Sequence, residues 1–147
     1  MLRALAPRSY LFLCVANSAR SQLAEGLARS LAAEGITVAS AGSEPSQVRP
    51  EAVAVLAEQG VDIGSHHSKS IDDIPPQSVD AVITLCAEEV CPAWLGHAHR
   101  VHWGLPDPAA VEGDGRLDAF RATRDELRRR LTVLLARTDP RGTQAAP

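Results

Sequence analysis

The stretch Tyr10-Leu11-Phe12-Leu13-Cys14-Val15-Ala16-Asn17-Ser18-Ala19-Arg20-Ser21 joins an apolar run to a helical pattern. The apolar run predicts a buried strand over residues 9–14. Leucines that recur every four residues from Leu23 to Leu31 predict a helix that begins near Ser21. Cys14 therefore ends a strand and opens a loop that leads into a helix N-terminus.

Such a loop is suited to binding an oxyanion. Its free N–H groups carry partial positive charge, and together with a guanidinium they bind a tetrahedral anion. The same field favours the thiolate of Cys14, while Ser18 and Ser21 can hydrogen-bond the sulfur or the loop backbone. The alternative is a buried structural cysteine followed by an ordinary helix cap at Ser18. The residues expected to bind the oxyanion are Val15, Ala16, Asn17, Ser18, Ala19 and Arg20.

Length, composition and charge set the frame for this site. With 147 residues, 45% of them hydrophobic, the chain is expected to form one domain with a proper core. A formal charge of -3 and no basic face argue against nucleic-acid binding. Residues 1–20 show neither a signal peptide nor a membrane span, so we expect a cytoplasmic protein. In that compartment three cysteines are not expected to form a structural disulfide framework.

Strand-like and helical patterns alternate along the chain. This alternation predicts an α/β fold: a single-domain, four-stranded parallel sheet with helices on both faces and a phosphate-binding loop after the first strand. We expect an N-terminal extension at 1–8, the folded domain at 9–137 and a flexible tail at 138–147. The further predicted strands are 37–41, 80–86 and 99–103, and the further helices are 50–60 and 117–137.

Two of the three cysteines end predicted strands. Cys14 and Cys86 both lie at carboxyl ends of parallel strands, where ligands bind in open α/β sheets. If the two strands are neighbours, their backbones are ~4.8 Å apart, and the sulfurs could approach disulfide distance. Cys91 follows after a short segment that could fold back and exchange with Cys86. Cys86 alone could be a core cysteine and Cys91 alone a surface thiol, but the three together favour a thiol relay.

The chain from Tyr10 to about Arg137 resembles the arsenate reductases built on the low-molecular-weight tyrosine phosphatase scaffold, commonly coupled to thioredoxin. The resemblance implies a parallel sheet in which the first and third strands are adjacent. The motifs that carry it are Cys14 to Ser21, Gln22-Leu23-Ala24-Glu25-Gly26, Ser40-Ala41-Gly42, Thr84-Leu85-Cys86, Cys91-Pro92, His102-Trp103-Gly104 and Asp107-Pro108.

The resemblance also implies roles for individual residues. Cys14 attacks arsenate, Arg20 and the loop amides bind it, Ser21 stabilises the thiolate and Asp107 protonates the departing oxygen. Asp107 is alternatively no more than part of an Asp-Pro turn. In the implied relay Cys86 attacks Cys14 and expels arsenite, and Cys91 then attacks Cys86 to leave a Cys86–Cys91 disulfide.

The implied partners follow from this chemistry. No cofactor is expected to be bound, and thioredoxin is the expected external reductant, with electrons from NADPH through thioredoxin reductase. Glutaredoxin or a low-molecular-weight thiol system stays open as an alternative reductant. Phosphate and sulfate are expected to compete with arsenate, and we expect a monomer.

A group of polar residues is expected to support the loop. Some members of the family carry an acidic residue where Lys69 stands, and use it in a monovalent-cation site with counterparts of Asn17, Glu25 and Ser40. Here the Lys69 ammonium could take the place of the ion against Glu25 and Asn17, which predicts no potassium requirement. Lys69 is alternatively a solvated surface residue.

Two further functions compete with arsenate reduction. A tyrosine phosphatase would use the same Cys14, Arg20 and Asp107, but the phosphatases of the family place tyrosines after the Asp-Pro. Ala109 and Ala110 stand there in this chain, and aromatic residues make up only 3% of it. The other alternative is metal binding, but its spacing fits no compact zinc pattern and we expect no metal site. Its ligands would be Cys86, Cys91, His97 and His99.

Overall fold

The computed structural model describes residues 7–87 and 98–137 of the chain. Their strands form one four-stranded sheet with the order β2-β1-β3-β4, and all three pairings are parallel. The strands are β1 (Ser9–Cys14), β2 (Thr37–Gly42), β3 (Ala81–Thr84) and β4 (His99–His102). The predicted parallel sheet and the adjacency of β1 and β3 are therefore confirmed.

Three α-helices occur in the predicted order along the described chain. They are α1 (Arg20–Leu31), α2 (Pro50–Ala57) and α3 (Arg116–Arg137). Proline at the first position of α2 fits because a first-turn N–H needs no partner within the helix. Short 3-10 helices occur at Ile71–Asp73, Pro76–Ser78, Pro108–Ala110 and Gly113–Gly115.

Two apolar clusters cover the two faces of the sheet. The three α-helices pack on one face, where Phe12 and Ile83 contact a cluster that includes Leu27, Leu56 and Leu127. On the other face Leu11, Leu13 and Val82 pack with Ile71 and Ile74 from the segment around the first 3-10 helix. The predicted covering of both faces is confirmed, but in the described part of the chain the second face has a 3-10 helix in place of an α-helix.

Element ends differ from the predicted ones by a few residues. The helix predicted at 50–60 ends at Ala57, and Gly60 then takes a left-handed conformation with φ of +76°. The strand predicted at 80–86 ends at Thr84. Leu85 still donates a backbone hydrogen bond to Leu13 (2.9 Å), so the chain leaves the sheet immediately before Cys86.

Several sequence predictions fall outside the described residues. These are the tail at 138–147, most of the extension at 1–8, and the positions Cys91 and His97. Within the part that is described, no helix is both long enough and apolar enough to span a bilayer.

Candidate active site

The free thiol of Cys14 lies at the end of β1 and is 2% exposed. Its Sγ is 2.8 Å from the hydroxyl of Ser21, in the first turn of α1. Asn17 Nδ2, which can only donate, lies 2.7 Å from the same hydroxyl. Because Ser21 accepts from Asn17, its own hydrogen is available for the sulfur. A hydroxyl that donates to sulfur stabilises a thiolate.

The orientation of the Asn17 amide is fixed by its other partners. Its Oδ1 accepts from the backbone N–H of Lys69 (2.8 Å), which cannot act as an acceptor. Its Nδ2 donates to Ser40 Oγ (2.9 Å) as well as to Ser21. Asn17 also has φ of +50°, so it supplies the left-handed residue that the loop needs.

The carbonyl groups of the loop are bound by neighbouring segments. Val15 O accepts from the amide of Glu44, and Ala16 O from the amide of Ser46. Ser18 O accepts in the same way from Arg49, the residue before α2. Among the described residues, no amide of the loop from 15 to 19 donates to a backbone carbonyl. Successive N–H groups around a left-handed residue are typical of concave anion sites.

A close approach of the end of β2 gives the loop its shape. A side-chain carbon added to Gly42 would lie 2.3 Å from Val15 O and 2.9 Å from the amide nitrogen of Asn17. No side chain fits at that separation, so the loop can lie against β2 only at a glycine.

Arg20 and Asp107 face each other across the site. Arg20 is 4% exposed, and its Nη1 donates to the carbonyl of Leu105 (3.0 Å). Its Nη2 is 4.0 Å from Asp107 Oδ2. Asp107 Oδ1 accepts from the amide of Ala109 (3.0 Å) and so caps the 3-10 helix Pro108–Ala110. Asp107 thus forms the turn that the sequence offered as an alternative, and it also presents its second oxygen to the guanidinium.

The residues expected to support the loop lie together behind it. Glu25 is 3% exposed, and its Oε1 accepts from Ser40 Oγ (2.5 Å) and from Lys69 Nζ (3.2 Å). Arg29 Nη2 donates to its other oxygen at 2.6 Å. Lys69 contacts both Glu25 and Asn17 as expected, but its contact with Asn17 is not made by the ammonium. The backbone N–H of Lys69 binds Asn17, while the ammonium also donates to His67 O (3.2 Å).

Sequence reasoning missed Gln22 as part of this support. Gln22 is fully buried, and its Nε2 donates to Asn17 Oδ1 (3.0 Å) and to His67 O (3.0 Å). Its Oε1 is 3.1 Å from His66 Nδ1. Burial lowers the pKa of His66, while the nearby Glu25 carboxylate opposes this shift. A glutamine in the first turn of a helix, directly before its apolar positions, was the available signal.

Of the two further cysteines, only Cys86 belongs to the described residues. It follows β3, is 1% exposed and is disulfide-bonded, whereas Cys14 is free.

The alternative of an ordinary serine cap is wrong, because α1 is preceded by Ala19 and has no side-chain cap. The described residues include no group of three or more His, Cys, Asp or Glu side chains placed to hold a metal ion.

Comparison with known proteins agrees with this geometry. Residues 9–143 match the family of low molecular weight phosphotyrosine protein phosphatases. An arsenate reductase of Halalkalibacterium halodurans is 44% identical over 124 residues, which are 82% of this chain and 89% of that protein. A solved arsenate reductase in the phosphate binding state has a TM-score of 0.76 at 35% identity, covering 90% of this chain and 99% of that one.

A second solved structure bears on the reductant. The thioredoxin-dependent arsenate reductase of Corynebacterium glutamicum has a TM-score of 0.65 at 28% identity, covering 90% of this chain and 68% of that one. With its anion-binding loop after β1 and these relatives, the chain belongs to the low molecular weight phosphotyrosine protein phosphatase family, among the members that resemble arsenate reductases.

Proposed function

We propose that this protein reduces arsenate to arsenite through a relay of Cys14, Cys86 and Cys91 that thioredoxin regenerates. The observation that carries the proposal is the buried Cys14 thiol, which receives a hydrogen bond from Ser21. Cys14 lies at the same edge of the sheet as the end of β3, and Cys86 follows that strand. Relatives that cover most of the chain are arsenate reductases.

In the first step the Cys14 thiolate attacks arsenic, and an oxygen leaves as water with a proton from Asp107. The loop amides and Arg20 bind the remaining oxygens. This assignment is supported by the 4.0 Å separation of Arg20 Nη2 and Asp107 Oδ2, which places the acid beside the guanidinium that would hold the anion.

Two thiols then supply the two electrons. The Cys86 thiolate attacks Cys14 Sγ, the electron pair of the sulfur–arsenic bond passes to arsenic, and arsenite leaves. The Cys91 thiolate attacks Cys86 and releases Cys14, which leaves a Cys86–Cys91 disulfide. A dithiol reductant restores both thiols. The parallel register that puts Leu13 beside Thr84 supports the exchange, because the cysteine that ends β1 is then close to the segment that follows β3.

Thioredoxin is the reductant that we propose, with electrons from NADPH through thioredoxin reductase. An internal disulfide suits a dithiol reductant, and a structural neighbour is described as thioredoxin-dependent. Because this reductant works in a reducing compartment, we propose that the protein acts in the cytoplasm, as a monomer.

The comparisons do not favour the phosphatase alternative. The 3-10 helix after Asp107 carries Ala109 and Ala110, so that segment offers no aromatic wall for a phenyl ring. The curated relative described above is an arsenate reductase.

We further propose that Lys69 replaces a monovalent cation behind the loop. Its ammonium donates to Glu25 Oε1 (3.2 Å), the oxygen that also accepts from Ser40. One fixed positive charge beside a buried carboxylate supplies what a bound cation would supply there. The enzyme should then work without potassium.

Peptide mapping without reduction tests the relay. The reduced protein is incubated with arsenate, blocked with iodoacetamide and cleaved after glutamate. Glu88 and Glu89 lie between Cys86 and Cys91, so cleavage there separates the two cysteines and a disulfide holds two peptides together. We expect this linked pair after arsenate, but neither without arsenate nor in Cys14→Ser. If arsenite is produced and no linked pair is found, the relay is wrong.

A further inference from the structure

A histidine at the carboxyl end of β4 is held in a fixed orientation by its neighbour in the sheet. His102 Nδ1 lies 2.6 Å from Thr84 Oγ1, and the two residues are register partners in the parallel pairing of β3 with β4. When Nδ1–H donates to the threonine oxygen, the lone pair of the neutral ring is on Nε2. In this tautomer Nε2 can accept a proton, and the contact with Thr84 holds the ring in place.

Gly104 leaves room for this ring beside Cys86. A side-chain carbon added to Gly104 would lie 3.0 Å from His102 Nε2 and 3.3 Å from the carbonyl oxygen of Cys86. Both atoms therefore border the same small space. The sheet pairing extends to this level, because Trp103 N donates to Thr84 O (2.8 Å) and Leu105 N to Leu85 O (3.1 Å).

Cys86 follows two residues after Thr84, the register partner of His102. Ile83 and Leu85 both belong to the cluster under the α-helices. Successive residues of a strand point to opposite faces, so Thr84 shares the other face with its register partner His102. Arg100 lies two residues before His102 and therefore on the same face of β4. The exposed His99 is the first residue of the strand.

We propose that His102 is the proton acceptor for the Cys86 thiol in the relay, with Thr84 as the residue that positions it; this inference rests on the proposed function. Cys86 S–H transfers its proton to His102 Nε2, which gives a thiolate and an imidazolium. The thiolate attacks Cys14 Sγ, and the electron pair of the sulfur–arsenic bond leaves with arsenite. The imidazolium then loses its proton to water, since the ring is exposed.

The test measures the reactivity of Cys86 directly. In full-length, reduced Cys14→Ser/Cys91→Ser protein, Cys86 is the single thiol, and its alkylation by iodoacetamide is followed from pH 5 to pH 9. Adding His102→Gln should slow alkylation at pH 7 about tenfold, because general-base assistance is lost. It should also move the midpoint of the pH profile upward. Thr84→Val should also slow the alkylation of Cys86. Thr84→Ser keeps the hydroxyl and should alkylate at the rate of the parent protein.

Matched controls separate this role from a structural one. His99→Gln changes a second histidine of the same strand and should leave the alkylation rate of Cys86 unchanged. Free imidazole should restore part of the rate in His102→Ala, which repacking alone would not do. In Cys86→Ser/Cys91→Ser protein, His102→Gln should leave the alkylation of Cys14 unchanged.

Equal rates and equal pH midpoints for His102→Gln and its parent would overturn the inference. A slowing that also affects Cys14, or that imidazole does not reverse, would assign His102 a structural role and equally reject it. This assay contains no arsenate, so it gives its answer even if the protein fails to reduce arsenate. That failure would reject the proposed function separately.

Discussion

At the scale of single residues, the hydrogen bonds of Asn17 determine what Cys14 can do. Its two amide hydrogens go to Ser21 and Ser40, and its oxygen accepts from Lys69 and Gln22. Because the Ser21 hydroxyl oxygen accepts a hydrogen bond from Asn17, its hydrogen is available to donate to the Cys14 sulfur. The nucleophile is thus linked through two polar side chains to the support cluster around Glu25.

Ser21→Ala should therefore make Cys14 less reactive without unfolding the protein. A hydrogen bond to a charged group contributes ~1.5–3 kcal/mol, so we expect alkylation of Cys14 at neutral pH to slow about tenfold or more. The measurement is the iodoacetamide rate as a function of pH in Cys86→Ser/Cys91→Ser protein. Ser30→Ala, on the exposed end of the same helix, is the matched control. Equal rates for Ser21→Ala and its parent would contradict the role of Ser21.

The ammonium of Lys69 leads to a prediction about salts. Since Lys69 Nζ already binds the buried Glu25 carboxylate, arsenate turnover should be the same in potassium and in sodium salts of matched ionic strength. Lys69→Gln removes the positive charge and should lower turnover, whereas Lys69→Arg should preserve most of it. Strong activation of the wild-type enzyme by potassium over sodium would show that a cation is still required.

Sequence reasoning reached part of this residue-scale network. Cys14, Arg20 and Ser21 follow from their positions between a strand and a helix, and the resemblance supplied Glu25, Ser40 and Lys69. The contacts of Gln22 and the backbone bond from Lys69 to Asn17 were missed. They depend on a tertiary contact between α1 and the segment before Ile71, and no local pattern encodes such a contact.

At the scale of elements, the loop is held by the ends of its neighbours. Segment 44–49 engages its carbonyl groups, and Gly42 at the end of β2 lies against Val15. The strands and helices themselves were predictable from alternating patterns. The ends of these elements were harder to predict. β3 ends at Thr84, but the hydrophobic pattern of the sequence continues through Leu85 and Cys86.

Gly42→Ala should disturb the loop and the stability of the fold together. The added carbon would lie 2.3 Å from Val15 O, so β2 or the loop must move. Overpacking of this kind costs ~1–3 kcal/mol, which urea unfolding would detect as a lower free energy of unfolding. Gly115→Ala has its nearest neighbour at 3.7 Å and serves as the control. Unchanged stability and unchanged Cys14 alkylation in Gly42→Ala would reject the close approach.

The contact between α2 and α3 should make stability depend on acid pH. Hydrogen bonds from Arg121 and then Arg124 lower the pKa of Glu58 to about 2. A carboxylate whose pKa is depressed in the folded state adds stability that is complete above its unfolded pKa and is lost as the pH falls toward 2. Glu58→Gln should therefore lower Tm at pH 7 and have little effect near pH 2. The exposed Glu34→Gln is the control, and a Tm loss at pH 7 no larger than that of the control would contradict the role of Glu58.

At the scale of the whole molecule, the sheet order matters most for function. Alternating strands and helices indicate a parallel sheet but do not determine which strands are neighbours, so the adjacency of β1 and β3 came from the family resemblance. The order β2-β1-β3-β4 confirms it. Three segments therefore lie at the carboxyl edge of the sheet. They are the anion loop after β1, the Cys86 segment after β3, and the segment from His102, at the end of β4, to Asp107.

The most direct test of the account is arsenate-dependent oxidation of NADPH in the presence of thioredoxin and thioredoxin reductase. Wild-type protein is compared with Cys14→Ser, Cys86→Ser and Cys91→Ser, each checked for native Tm. We expect turnover by the wild type and loss of turnover in all three variants. Loss in Cys14→Ser alone, with hydrolysis of an aryl phosphate by the wild type, Cys86→Ser and Cys91→Ser, would contradict the relay and indicate a phosphatase.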